Sequence, residues 1–243
     1  MKFELVSRWG FALAATIILS GCVSTASTVK QIDQLESVGD SPKIVLMPPD
    51  IKYYLLTAAG VPQPHEEWTT AARENFSTAV VEHARSIGSD LDAVNPRDLS
   101  QVEMEYEALH ASVGSTLIDH HFGMFKLPAK EGAFDWSLGP GIASIGDDYD
   151  ADYALFVFYR DYQASGGRVA FSILAAVAGV GIPMGAEQGF ASLVDLKSGD
   201  VVWFNMVNVG KGELRKKESA AQTVAALFKN MPTGIAVPSM PAD

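Results

Sequence analysis

Cysteine is nearly absent from this sequence, which contains one, Cys22, in 243 residues. A lone cysteine cannot form an intramolecular disulfide, so a disulfide-stabilised fold is excluded. Basic residues are also few: 18 Lys and Arg stand against 29 Asp and Glu, and the formal net charge is −11. A nucleic-acid surface needs clustered Lys and Arg, so that class of function is excluded as well.

Complete catalytic motifs are lacking too. Ser144 lies in GIASIG, without the glycine two residues earlier that a nucleophile elbow requires. The glycines of GVGIPMG, residues 179–185, miss the G-x-G-x-x-G spacing by one residue, and no lysine follows to form a phosphate loop. We therefore expect no cofactor and no enzymatic activity.

Three acidic residues have the spacing of metal ligands. Asp148, Asp150 and Asp152 match the D-x-D-x-D start of a calcium loop. The rest of that loop is missing, because Tyr153 replaces the glycine of the sixth position and Tyr159 replaces the bidentate acid of the twelfth. We interpret the triple as a solvated acidic turn that leads into a strand.

A second weak metal candidate lies on a predicted helix. Glu107 and His110 have E-x-x-H spacing, and His120 and His121 follow near the helix end. A di-metal carboxylate site needs two such motifs on facing helices, and the sequence has one. For His120 and His121, polar loop residues at a helix end are the preferred interpretation. The alternative is an envelope hydrolase or metal-dependent enzyme that uses Glu107, His110 and His120.

The N-terminus has the features of an export signal. Lys2 and Arg8 precede an apolar run over residues 11–19, which is shorter than the ~20 residues that a membrane-spanning helix needs. The run ends in Leu19, Ser20, Gly21 and Cys22. These four residues resemble the bacterial lipobox, which implies cleavage before Cys22, diacylation of its sulfur, and acylation of the new amino group. Val23 resembles the sorting pattern that directs enterobacterial lipoproteins to the outer membrane.

The remaining chain divides into three parts. Residues 22–41 are polar and aperiodic, which predicts a flexible tether. Residues 42–231 carry the apolar periodicity of one compact α/β domain, and residues 232–243 predict a loose proline-containing tail. Within the domain the patterns predict strands near 43–47, 51–56, 91–94 and 153–159, a hairpin over 189–204, and helices near 64–87, 98–118 and 218–229. This order favours a mixed, partly antiparallel sheet flanked by about three helices.

Three segments of the domain carry a family resemblance. The KIVLMPPD strand, the DADYALFVFY segment and the SLVDLKSGDVVWF hairpin before the last helix resemble the small α/β domain of envelope lipoproteins related to the curli-secretion (CsgG) and TolB N-terminal families. The resemblance implies an envelope assembly or scaffolding role. Neither a propeller domain nor two clear membrane hairpins accompanies it, so neither family's activity is implied.

Residues 169–186, VAFSILAAVAGVGIPMGA, form the longest uncharged segment of the domain, with eighteen residues. The preferred interpretation is a buried strand, beginning near Arg168, followed by a packed apolar turn. A lip that contacts lipid or a partner subunit is the second interpretation, and a membrane span is the third. For the lip, the candidate contact residues are Ile173, Leu174, Val180, Ile182 and Met184.

Together these patterns predict a lipoprotein anchored in the bacterial outer membrane, with its domain facing the periplasm. We expect it to bind other envelope proteins without catalysis, as a homo-oligomer in one version of the hypothesis. A subunit of an oligomeric secretion pore is a further alternative, and it would need amphipathic hairpins long enough to close a barrel.

Overall fold

The computed structural model describes residues 26–31, 42–86, 91–130, 133–208 and 213–232. The predicted signal peptide, the lipobox and Cys22 lie outside the described residues, as does nearly all of the predicted tail. Part of the predicted tether is described, and it differs from the prediction: Ala26–Gln31 forms a strand that pairs with the edge of the sheet.

Eight strands of the described chain form one mixed sheet. In chain order the strands are β1 (Ala26–Gln31), β2 (Ile44–Leu46), β3 (Asp50–Leu56), β4 (Pro62–Pro64), β5 (Asp92–Ala93), β6 (Tyr153–Ala164), β7 (Gly185–Asp195) and β8 (Val201–Asn208). Their order across the sheet is β1-β8-β7-β6-β2-β5, with β3 beside the second half of β6 and β4 beside β3. The β2 and β3 strands run parallel to β6, whereas β7 runs antiparallel to it. The predicted mixed α/β fold is confirmed.

Helices cover both faces of the sheet. The α-helices of the described residues are α1 (Glu66–Ser86), α2 (Gln101–Leu117), α3 (Ala143–Tyr149), α4 (Gly166–Val177) and α5 (Lys217–Leu227). Helices α1 and α5 pack on one face, and α2 and α3 pack on the other. Helices α1, α2 and α5 were predicted, and α3 and α4 were not. None of the helices in the described part of the chain has both the length and the hydropathy of a membrane span.

Central strand β6 explains why the domain has two cores. Successive side chains of a strand point to opposite faces. On β6, Leu155 and Val157 join the core beneath α1 and α5, while Phe156 and Phe158 join the core beneath α2 and α3. All four are buried, which explains why the sequence of β6 is apolar without alternation.

Helix α2 begins with a reciprocal cap. The Ser100 hydroxyl accepts a hydrogen bond from the Glu103 backbone N–H at 3.3 Å, and the Glu103 carboxylate accepts one from the Ser100 N–H at 2.6 Å. The helix continues past Leu117 into a π-helical turn, Ile118–Phe122. This cap fixes where the Glu107 and His110 motif lies along the helix.

Candidate interaction surface

The connection from β6 to β7 consists of α4 and an apolar loop. Strand β6 ends at Ala164, and the Ser165 hydroxyl caps α4 by accepting a hydrogen bond from the Arg168 N–H at 3.2 Å. The preferred sequence interpretation, a buried strand beginning near Arg168, is therefore wrong. A short apolar run has no polar face from which a strand and a helix can be told apart, and here the N-cap serine determines the helix.

Most of this connection is exposed, so the packed apolar turn is also wrong. We call residues 169–184 the apolar protrusion. Its exposed side chains include Leu174 at 70% and Val177 at 87% of full exposure. The other large exposed side chains are Val169, Phe171, Ile173, Val180 and Met184. Of the five predicted contact residues, four are exposed and Ile182 is half-buried.

Exposure extends around more than half of the circumference of α4. Successive residues of an α-helix are 100° apart around its axis. Between Val169 and Val177, Ser172 and Ala175 face the domain, and the other side chains are exposed. A surface helix of a globular protein normally turns an apolar stripe to the core and a polar face to water. Helix α4 has the opposite arrangement.

A few polar contacts hold the protrusion in place. Arg168 Nε donates to the Pro183 carbonyl at 2.9 Å, which ties the start of α4 to the returning loop. The Ser172 hydroxyl donates to the Val169 carbonyl at 2.8 Å and lies 3.4 Å from the Met184 sulfur. The Arg168 guanidinium also lies against Gly60 in the β3–β4 turn, where an added Cβ would be 2.7 Å from Nη1. The protrusion is thus attached to the domain without being covered by it.

The described chain enters the sheet at this same end. Strand β1 starts at Ala26 and runs away from the protrusion. Ala26 on β1 pairs with Asn208 on β8, Asn208 pairs with Gln188 on β7, and Gln188 pairs with Arg160 on β6. The start of β1 is therefore level with Arg160. The last pair of β6 and β7, Gln163 with Gly185, lies three residues further toward α4. The start of β1 and the protrusion therefore share one end of the sheet.

An acidic cavity of about 630 Å³ adjoins the protrusion. Its walls include Asp161, Glu187 and Glu213, together with Lys216 and Met184. Asp161 and Glu187 face each other across β6 and β7, and burial raises the pKa of Asp161. Carboxylates outnumber cations among these lining residues, with Glu213 paired to Lys216 at 2.8 Å and to Arg215.

His110, in the middle of α2, lies in the core. Its Nε2 lies 2.9 Å from the Ser192 hydroxyl, and its ring packs against Phe156 and Phe190 with centroid distances of 5.0 and 5.3 Å. Burial lowers the pKa of His110 to about 3, so the ring is neutral at neutral pH. The sequence missed this role, although the seven-residue spacing from Glu103 through His110 to Leu117 places all three on one side of α2.

Glu107, on the same helix, is half-buried. Burial, followed by the nearby Asp50 carboxylate, raises the pKa of Glu107 to about 7. One of its carboxylate oxygens is buried without a hydrogen-bond partner in the described structure. Glu107 and His110 therefore occupy different environments despite their E-x-x-H spacing.

The remaining sequence candidates lie elsewhere. His120 is in the π-helical turn, and its Nδ1 lies 2.6 Å from the Phe125 carbonyl oxygen. Asp150 ends α3 with φ 48° and pairs with Lys43, whose backbone N–H donates to Asp152 at 2.9 Å. Asp148 is exposed. Within the described ranges, no three His, Cys, Asp or Glu side chains are grouped closely enough to hold a metal ion.

Comparisons with known proteins give structural matches alone. No protein-family model matches the chain, and no curated protein matches it. Among solved structures, the chain is similar to the PelC dodecamer from Paraburkholderia phytofirmans, with 10% identity and a TM-score of 0.35 over 83% of this chain and 97% of that chain. A substituted PelC from the same organism, also a dodecamer, gives 9% identity and a TM-score of 0.36 over 84% and 96%. Matches at these TM-scores carry no function from one chain to the other, and the resemblance to CsgG and TolB stays a prediction.

Proposed function

We propose that this protein is a lipid-anchored subunit of the bacterial cell envelope that binds other envelope components without catalysing a reaction. In this proposal Cys22 carries the lipid, the domain faces the periplasm at the outer membrane, and the apolar protrusion is a surface that a partner or the membrane covers. The protrusion carries the proposal, because large exposed apolar patches mark sites that a partner or a membrane covers.

The anchor is supported by the sequence before the described residues. LSGC follows a short apolar run, and lipidation accounts for the chain's single cysteine. Several acyl chains hold a protein on a membrane, whereas one gives only reversible binding. The charge of the protein agrees with a role that does not depend on nucleic acid.

Catalysis has less support because the candidate side chains do not converge. His110 is hydrogen-bonded inside the core, whereas His120 contacts a carbonyl in a surface turn. Glu107 is the one observation that favours the enzyme alternative, since its raised pKa suits a general acid or base. Metal analysis of the intact protein separates the two: stoichiometric zinc, iron or manganese that is lost on His110→Ala would overturn the non-enzymatic proposal.

The anchor is tested by metabolic labelling with palmitate. We expect the wild-type chain to incorporate the label and its N-terminal peptide to begin at Cys22 with the mass of attached acyl groups. Cys22→Ala should incorporate none and should stay unprocessed at that site. Label entering Cys22→Ala, or a wild-type Cys22 without lipid, would contradict the proposal.

A further inference from the structure

The shape of the protrusion limits the kind of surface that can cover it. Apolar side chains are exposed around more than half of α4 and continue through Val180 and Met184 in the loop. A flat protein partner would cover one side of such a helix and leave the others in water. The acyl region of a bilayer surrounds an inserted helix on every side. Residues 169–186 carry no charge, so they can enter the acyl region without the cost of burying an ion.

The length of α4 limits how deeply it can enter. Twelve residues make a helix of about 18 Å, which is shorter than the ~30 Å hydrocarbon core of a bilayer. The chain also returns to the sheet at Gly185, on the side from which it left. The protrusion can therefore occupy one leaflet near the headgroups, as interfacial helices do, and leave the domain on one side of the membrane.

The position of Cys22 supplies the second, independent observation. Cys22 lies four positions before Ala26, and four Cα–Cα steps span at most ~14 Å. Ala26 is level with Arg160 on β6, and the end of the β6–β7 pair lies three residues, or ~10 Å, further along. A lipid on Cys22 can therefore reach the level of the protrusion, because the ~10 Å step from Ala26 is shorter than the reach of this segment.

From these placements we propose that the apolar protrusion inserts into the lipid leaflet that holds the acyl chains on Cys22, so that the domain stands on the membrane at two points. This inference rests on the proposed lipid anchor. Because the adjoining cavity is acidic and Arg168 already binds the Pro183 carbonyl, insertion is driven by apolar contact rather than by attraction to anionic headgroups. Insertion should therefore not depend on the content of anionic lipid.

The test places an environment-sensitive fluorophore on the intact lipoprotein reconstituted into phosphatidylethanolamine and phosphatidylglycerol vesicles. Leu174→Cys labels the most exposed side of α4, and Ser198→Cys labels the exposed β7–β8 turn at the opposite end of the sheet. Brominated acyl chains should quench the probe at Leu174, at a depth of about 5–10 Å below the headgroups. Aqueous iodide should quench the probe at Ser198 instead. Vesicles without phosphatidylglycerol should give the same result.

Each other outcome overturns the insertion. Quenching of the Leu174 probe by iodide would show that the protrusion is in water. Protection of that probe from both quenchers would mean that a protein, such as a second copy of this chain, covers it. Adding Phe171→Asp beside the Leu174 probe should move it toward the iodide-accessible state while the circular dichroism spectrum stays unchanged.

The same samples separate failure of the insertion from failure of the anchor. A lipidated Cys22 has no free thiol, so the wild-type chain should take up no fluorophore. If wild type is labelled, the proposed anchor fails. If wild type is unlabelled and the Leu174 probe is nevertheless quenched by iodide, the anchor stands and the insertion fails.

Discussion

At the scale of single residues, the pair formed by His110 and Ser192 is structural. Both side chains are buried, and their 2.9 Å hydrogen bond joins α2 to strand β7. A neutral imidazole in a core needs a partner for its polar nitrogen, and Ser192 provides one. The pair has the residue types of a catalytic dyad, but it lies between aromatic rings in the core.

This role predicts the effect of Ser192→Ala. The substitution should lower the free energy of unfolding by about 1–3 kcal/mol, because it leaves a buried ring nitrogen without its partner. Urea denaturation measures the change. Ser112→Ala is the control, since the exposed Ser112 hydroxyl donates to a carbonyl within α2. Equal effects of the two substitutions would contradict the structural role.

The raised pKa of Glu107 predicts that the stability of the fold depends on pH. Its pKa is raised to about 7 in the folded protein, so the folded state holds this proton more tightly than the unfolded state does. The stabilisation is complete below pH 4.5, the ordinary value, and is lost as the pH rises through about 7.

Glu107→Gln should remove this part of the pH profile. At pH 8 the variant should be more stable than wild type by about 1 kcal/mol, a value reduced from the full shift because water partly screens Glu107. Denaturant titrations between pH 4 and pH 9 measure it, with the exposed Glu105→Gln as control. An unchanged slope in Glu107→Gln would refute the assignment.

At the scale of elements, α2 shows where helical periodicity misleads. Apolar spacing predicts a buried face through Val102, Tyr106, Leu109, Val113 and Leu117. The buried residues are Glu103, His110, Gly114 and Leu117, while Val102 and Leu109 are exposed. The small residue Gly114 lets α2 approach Phe190 closely, and a hydropathy pattern does not reveal that contact.

Gly114→Ala tests this close approach. Alanine favours a helix over glycine by about 1 kcal/mol, but its Cβ would overlap the Phe190 ring. That ring stacks on Phe158 and Phe204 at centroid distances of 4.7 and 5.5 Å, so it has little room to move. We expect a net loss of about 1–3 kcal/mol in unfolding free energy.

Thermal and urea unfolding measure this loss, with Gly166→Ala as the matched control. Gly166 begins α4, and an added Cβ there meets nothing within 4 Å. A Gly114→Ala protein as stable as wild type would show that α2 can move off the sheet freely.

Elements with clear periodicity were predicted well. Helix α1 was predicted from Pro64 to about residue 87 and runs over Glu66–Ser86, and the hairpin of β7 and β8 was predicted around Gly199. Helix α4 was predicted as a strand because its exposed face is as apolar as a core. Strand β1 was missed because its polar sequence lacks the alternation that identifies a half-buried strand.

At the scale of the whole molecule, the sequence singled out the apolar segment, but its preferred interpretation buried that segment in the core. The second interpretation, a contact lip, named Ile173, Leu174, Val180, Ile182 and Met184, of which Ile182 is half-buried. It missed Phe171 and Val177, because only the helix shows which residues project. The start of β1 lies at the same end of the sheet as the protrusion because β1 pairs with β8. Residue patterns do not predict that pairing.

An exposed protrusion predicts that charge is tolerated there. Leu174→Asp should change the free energy of unfolding by less than about 0.5 kcal/mol, since the side chain is already in water in the domain. Leu193→Asp, at a buried position of β7, should unfold the protein and serves as the comparison. Circular dichroism with urea would detect either change. Loss of fold in Leu174→Asp would show that the protrusion belongs to the core.

We propose that one end of the sheet faces lipid, and the accessibility of spin labels to relaxing agents reports this contact. Nitroxides at Leu174, Glu74 and Ser198 sample the protrusion, the exposed side of α1 and the opposite end of the sheet in vesicle-bound lipoprotein. We predict that oxygen, which concentrates in lipid, relaxes the label at Leu174 most strongly, whereas a water-soluble nickel complex relaxes the labels at Glu74 and Ser198. A label at Leu174 as accessible to nickel as the label at Ser198 would show that this end of the sheet faces water.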